Sequence, residues 1–287
     1  MNENLFSSVS IGLIGYGSMG SALANAMLRS EKLRKAYSLH VYAKSAQARA
    51  EASPEIVFTE TMQDLVLACD CILVAVRPEQ MQGVVSEIAG LLPAAGSAGR
   101  KLLLSVAAGI TLKNLRQWAG NNLGVIRVMP NTLVEVGQGL FGFCAGPEVS
   151  HEEKEMARAL FNDLGTVVAI DEHNMNAFTA LAGCGPGFLF HIMDSLCEAG
   201  VSTGLDRKTS QTIAAALMRG CAEMAIQTGR HPVLLREQAT SPMGMTIAGL
   251  NHLDRTGVRG HIIDAVCAAL ARGNHMDAEL SVMKKDT

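Results

Sequence analysis

The sequence lacks a surplus of positive charge. Its 24 Lys and Arg stand against 27 Asp and Glu, a formal net charge of −3, so no broad attraction to nucleic acid is implied. It lacks metal-ligand spacing: Cys69 and Cys71 form a C-x-C pair with no second pair and no histidine nearby, and no metal is expected. Its seven cysteines are an odd number, and Cys71, Cys197 and Cys267 lie in apolar surroundings. This reads as reduced, buried thiols in a cytoplasmic protein rather than a disulfide framework. No basic segment precedes an apolar run at the start, so no signal peptide is expected. No uncharged apolar run reaches the length of a membrane span, and neither an internal repeat nor a low-complexity segment is present. What is there is 287 residues, 48% hydrophobic and 18% charged, which describes a globular chain with room for two domains.

Val9-Ser10-Ile11-Gly12-Leu13-Ile14 reads as a buried strand. Gly15-Tyr16-Gly17-Ser18-Met19-Gly20 follows at once, ahead of apolar residues at helical spacing. In a G-x-G-x-x-G between strand and helix, Gly15 allows a tight turn, Gly17 lets a pyrophosphate approach the backbone, and Gly20 lets helix and strand pack closely. The placement predicts a dinucleotide site. A second strand over 38–43 ends in Lys44-Ser45, where an NAD site would place Asp or Glu on the ribose hydroxyl. A cation and a hydroxyl suit a 2′-phosphate, so NADPH is favoured, with NADH still possible. Further strands are expected over 71–76, 101–106, 124–129, 141–144 and 165–170. The ends at Ala75-Val76-Arg77-Pro78 and Ala107-Ala108-Gly109 face the cofactor in such a sheet, and small side chains at 107–109 would let a ring approach the backbone. Alternation with helical stretches such as 150–164 predicts a parallel, doubly wound α/β sheet, a Rossmann domain over residues 1–171.

After Asp171 the strand signals vanish, and an all-helical domain is expected over 172–287. A helical stretch over 175–200 is interrupted by Gly183-Cys184-Gly185-Pro186-Gly187, which should kink or loosen it. Helices over 209–228 and 258–273 follow, with a frayed tail at Lys284-Lys285-Asp286-Thr287. Helices apolar on more than one face need a partner on each, so a homodimer through this domain is expected. In Thr240-Ser241-Pro242-Met243-Gly244-Met245-Thr246, Ser241 reads as a helix N-cap and Pro242 as the first helical residue. That places Met243 and Gly244 in a first turn whose free amides attract an anion such as a carboxylate. Thr246 falls about one turn further in, with a hydroxyl that can donate a proton or hold a water.

Together these motifs resemble the pyrroline-5-carboxylate reductase family over nearly the whole chain. The carrying pieces are residues 14–20, 75–78, 105–111, Arg127-Val128-Met129-Pro130-Asn131-Thr132, 183–186 and, most specifically, 240–246. The resemblance implies a Rossmann domain followed by a helical dimerisation domain, with dimers often assembled further. It implies NADPH reducing the cyclic imine 1-pyrroline-5-carboxylate to L-proline, the last step of proline biosynthesis. Cofactor contacts would fall on Gly15 to Gly20, Lys44, Ser45, Ala75 to Pro78 and Ala107 to Gly109. The substrate carboxylate would sit on the amides of Met243, Gly244, Met245 and Thr246, with Thr246, the one catalytic candidate, near the imine nitrogen and Thr240 and Cys184 in the substrate segments. Departures cluster around the substrate: Cys184 and Gly187 replace Ser and Ala, Met243 replaces Gly, and Leu133 replaces Pro. They raise a shift toward another cyclic imine acid, or a non-catalytic NADPH-binding sensor. A β-hydroxyacid dehydrogenase would need a lysine on the first long helix of the second domain, but His191 is the only basic side chain in 175–206. Neither a nucleic-acid nor a membrane partner is implied.

Overall fold

The computed structural model describes residues 9–50, 52–93 and 100–283. Residues 1–8, where a signal peptide would begin, and the tail Lys284-Lys285-Asp286-Thr287 lie outside them. By internal contacts the chain divides into two compact units. One runs to Gly183 and takes in the chain from Leu270 onward; the other is Cys184–Ala269.

The first unit opens with β1 (Val9–Ile14), α1 (Ser18–Arg29), α2 (Glu31–Ala36) and β2 (Tyr37–Tyr42). Then come α3 (Ala46–Ala50), β3 (Val57–Phe58), α4 (Met62–Ala68), β4 (Cys71–Val74) and α5 (Pro78–Leu91). It continues through β5 (Lys101–Ser105), α6 (Leu112–Ala119), β6 (Leu123–Met129), β7 (Gly139–Ala145), α7 (His151–Asn162), β8 (Gly165–Ala169) and the short α8 (Met175–Phe178). The strand order is β3-β2-β1-β4-β5-β6-β7-β8. β1 pairs in parallel with both β2 and β4, so chain progression reverses there and a crevice opens past the carboxyl ends of these strands.

Alternate strand residues feed two cores. Ile11 and Leu13 join Leu23 and Met27 of α1 and Phe161 of α7 on one face. Ile14, Ile72 and Val74 join Leu65 of α4, Met81 of α5 and Leu115 of α6 on the other. This two-sided burial gives the strands their near-continuous apolar runs.

The wholly parallel sheet expected from the alternation is corrected at one pair: β6 and β7 run antiparallel. Only residues 130–138 separate them, a stretch that includes a 3-10 turn (Thr132–Val136) and Gly137 at φ +70°. That connection is too short for the crossover a parallel pair requires.

The second unit holds α9 (Gly185–Ser202), α10 (Arg207–Thr228), α11 (Pro232–Gln238), α12 (Met245–Arg255) and the start of α13 (Val258–Met283). The break expected at 183–187 is a π-helical turn over Thr179–Gly183, with Cys184 at the N-cap of α9. Pro186 lies in the first turn of α9, where its missing N–H is not needed. Leu189, Phe190, Ile213, Leu217, Leu253 and Ile263 are exposed on the helices of this unit. The run Glu172–Ser202, with mean hydropathy 1.2 in its most apolar window, is long and apolar enough to cross a membrane by length and composition. The run is not uncharged: it carries Glu172, Asp194 and Glu198.

Candidate functional site

A cavity of about 600 Å³ opens beyond the carboxyl ends of β1, β2 and β4. Gly15, Tyr16 and Gly17 line it from the loop after β1, Lys44 and Ser45 from the end of β2, and Ala75, Val76 and Arg77 from the end of β4. The glycine loop is tied on both sides. The Gly15 amide donates to Tyr42 O at 2.9 Å, and the Ala75 amide donates to Ile14 O at 2.8 Å.

Two of the three glycines have a steric reason within the fold. Gly15 has φ +99°, and a Cβ there would lie 2.6 Å from Ala75 O. A Cβ on Gly20 would lie 2.2 Å from Gly15 O, whereas one on Gly17 would meet nothing within 4 Å. The loop is therefore closed against the sheet and open at Gly17, where backbone and ligand can approach. The first turn of α1 carries no acidic residue, so its free amides face no competing carboxylate.

One wall is aromatic. Tyr16 meets Phe58 edge-on with centroids 5.6 Å apart, and the Arg49 guanidinium lies 5.6 Å from the Phe58 ring. Arg49 Nε also donates to Ala43 O at 2.9 Å, which holds the turn carrying Lys44 and Ser45. Burial pushes the Tyr16 phenol above its ordinary value, so it remains a neutral hydroxyl at pH 7. Reach, glycine clearance and cations at the β2 end all fit a phosphorylated dinucleotide.

The other sequence candidates for the cofactor lie around this cavity rather than on its lining. Ser18 and Met19 open α1, Gly20 packs beneath Gly15, and Pro78 heads α5. Ala107, Ala108 and Gly109 follow β5; Ala107 is buried and Gly109 has φ +71°. Sequence reasoning missed Met62, Gln80, Gly83, Val84 and Glu87, which also line the cavity. The last four share one face of α5 at i, i+3, i+4 and i+7, a spacing legible directly after Pro78.

The 240–246 segment differs from its expected form. Ser241 is not an N-cap and Pro242 is not helical: α12 begins at Met245, and its N-cap is Gly244. Residues 241–244 form a turn closed by Gly244 N donating to Ser241 O at 3.1 Å. Met243 has φ +57° and is the only non-glycine residue at positive φ among the described residues. Proline at the second position and positive φ at the third are the marks of a type II turn, which favours glycine where Met243 stands. A Cβ on Gly244 would lie 2.3 Å from Ser241 Oγ, so a larger residue there would turn that hydroxyl aside. Thr246 is consequently the second residue of α12 rather than a turn further in, and it is exposed. The amides of Met245 and Thr246 have no intrahelical partner. Thr240 Oγ1 donates to Arg236 O at 2.7 Å. Cys184 is exposed at the N-cap of α9. Among the described residues, no group of three His, Cys, Asp or Glu side chains is placed to hold a metal.

The family model for pyrroline-5-carboxylate reductase dimerisation matches residues 172–276. A pyrroline-5-carboxylate reductase of Glycine max is 35% identical over 274 residues, covering 94% of this chain and 96% of that protein. The chain belongs to the pyrroline-5-carboxylate reductase family. A second model, described as NADP oxidoreductase coenzyme F420-dependent, matches residues 10–109, the span of β1 to the turn after β5. Among solved structures, the Plasmodium falciparum pyrroline carboxylate reductase with NADP bound is similar at TM-score 0.81 and 29% identity, over 94% of this chain and 98% of that one. The reductase of Coxiella burnetii is similar at TM-score 0.83 and 28% identity, over 92% and 97%. Cys184 stands at the N-cap of α9, and Met243 occupies the turn position before α12 that most favours glycine.

Proposed function

We propose that this chain reduces 1-pyrroline-5-carboxylate to L-proline with NADPH. The observation that carries the reading is the cavity at the strand-order reversal, glycine-walled and with Lys44 at its β2 end, in a chain of this family. In this reading Gly15, Tyr16, Gly17, Ser18, Met19 and Gly20 cradle the pyrophosphate. Lys44 and Ser45 take the 2′-phosphate, and Ala75 to Pro78 with Ala107 to Gly109 border the ribose and nicotinamide. The bound cofactor supplies the hydride. The free amides at the start of α12 hold the substrate carboxylate, and the Thr246 hydroxyl orients the ring nitrogen or provides its proton. A protonated imine accepts hydride directly, so positioning and carboxylate binding are the main tasks of the side chains. The NADP-binding domain of this reading is 1–171, and the dimerisation and substrate domain is 172–287. The exposed apolar residues of the second unit support a homodimer, and seven free cysteines support a reducing, cytoplasmic setting.

A second reading, favoured by Met243 at φ +57°, is that a different cyclic imine acid is the better substrate. The experiment is NADPH oxidation followed by absorbance with 1-pyrroline-5-carboxylate at neutral pH, with NADH and a piperideine carboxylate alongside. Rapid oxidation yielding proline is expected. Faster turnover of the larger ring would favour the second reading, and NADPH binding without turnover across the panel would replace both with a sensing role.

A further inference from the structure

We propose that Arg127 and Glu172 are a positioning pair that fixes the far end of the Ala107-Ala108-Gly109 turn, at the start of α6. The proposal rests on the reading above, in which that turn borders the nicotinamide. Arg127 is 3% exposed and is the only buried charged side chain among the described residues. It stands on β6, level with Ser105 on β5 and Cys144 on β7. Its Nη1 lies 3.5 Å from Glu172 Oε1, and its Nε, buried, has no hydrogen-bond partner. The same Glu172 oxygen accepts the amide of Leu112, the first residue of α6. Asp277 adds a second carboxylate that favours the charged guanidinium against the cost of burial.

Ser105 ends β5 and Leu112 begins α6, so the turn hangs between these two points. Strand pairing beside Arg127 fixes its near end, and the Glu172 carboxylate fixes its far end at a helix start where negative charge is favoured. A single long contact with one guanidinium nitrogen orphaned is a poor stabiliser. Well-packed apolar residues in place of such a buried pair are often as stable or more so. What the pair does provide is one oxygen shared between the sheet and the helix that follows the turn.

Two variants separate positioning from bracing. Glu172→Ala removes the shared oxygen. Leu112→Pro removes the amide donor at the first helical position, where proline is tolerated, after Thr111 at ψ 157°, which suits a residue before proline. Because the Leu112 side chain is buried, Leu112→Ala, which keeps the amide, is its control for lost packing and should leave kcat and lifetime near wild type. Glu172→Ala and Leu112→Pro are both expected to lower kcat by roughly ten- to hundredfold, the cost of a small misplacement of reacting groups, with KM for the imine changed less than about threefold on the same argument. Both should shorten the fluorescence lifetime of bound NADPH, while its dissociation constant stays within about threefold, because phosphate contacts dominate binding. Glu172→Gln, which keeps an oxygen for the Leu112 amide, should restore most of both signals. The double variant Glu172→Ala with Leu112→Pro should be no worse than either alone.

Wild-type kcat and lifetime in both Glu172→Ala and Leu112→Pro would overturn the proposal. So would a loss of kcat matched by equal loss of NADPH affinity and melting temperature without rescue by Gln, since that marks a brace. If Glu172→Ala does not fold, Leu112→Pro decides. The lifetime needs no turnover, so absence of wild-type imine reduction would sink the functional reading alone and leave this test standing.

Discussion

Met243 is a methionine in a backbone conformation built for glycine, and its side chain is wholly exposed. A left-handed residue with a Cβ carries strain of about 1–2 kcal/mol, and no packing within the chain offsets it. Met243→Gly should relieve that strain and return about half of it through the freer unfolded chain. A net stabilisation of about 0.5–1 kcal/mol is expected, read from urea unfolding midpoints. An unchanged or lower midpoint would show that the turn tolerates the side chain without strain. Gly20 is the opposite case. Gly20→Ala brings a Cβ to 2.2 Å from Gly15 O, and backbone must move to admit it. NADPH affinity should fall by about tenfold or more, the equivalent of a modest overpacking strain. Lys44→Ala should weaken NADPH by about tenfold and leave NADH nearly unchanged, as expected for one charge-assisted contact. Equal losses in direct titrations would remove Lys44 from the 2′-phosphate. The glycine loop was legible residue by residue because its spacing is imposed by close contacts that are local in the chain. Arg127 and Glu172 were not, since neither the burial of one nor the shared oxygen of the other is encoded nearby in sequence.

Helix ends are where local sequence spoke most and also where it misled. Thr61 accepts the Asp64 amide at 3.1 Å, and Asp64 returns a bond to the Thr61 amide, closing a capping box on α4. Thr61→Ala should cost about 1 kcal/mol of stability, and a loss below about 0.3 kcal/mol in the urea midpoint would show that solvent substitutes for the cap. At 241–244 the same logic failed, because proline after serine suits both a first helical residue and the second position of a type II turn. The deciding quantity is the φ of the next residue, and a methionine there points away from the turn that in fact forms. The strands were legible from their unbroken apolar runs. The reversal of β7 was not, because its apolar residues would serve equally in a parallel strand; only the short link from β6 forbids one.

At the scale of the molecule, the change from strand to helical periodicity after Asp171 made the fold class readable. The placement of the end of α13 did not emerge, since a long helix carries no mark of the unit it packs in. Burial raises the thiols of Cys69 and Cys71 to about 11 and about 12 from 9.0, and the Tyr37 phenol to about 12 from 10.0. The folded protein therefore holds these protons more tightly than the unfolded chain. Their stabilising effect is complete below about pH 9 and drains away as pH rises toward 12. Unfolding midpoints should be flat from pH 7 to 9 and fall steeply above, and a flat profile to pH 11 would show that these groups ionise freely in the folded state. The proposed homodimer would add concentration dependence: the melting temperature should rise with protein concentration, and a constant value over a hundredfold dilution would argue for independent chains.

The first unit is not contiguous in the chain. It is left at Gly183 and rejoined at Leu270, where Asn176 Nδ2 donates to Asn274 Oδ1 at 3.0 Å and to Asp277 Oδ2 at 2.7 Å. A ribosome makes these parts in the order first, second, first. The nucleotide-binding unit must therefore wait, its Asn176 amide unpartnered, until the whole helical unit has been synthesised and the end of α13 has cleared the exit tunnel. Its final consolidation is an event after synthesis of the second unit, however early its sheet has formed.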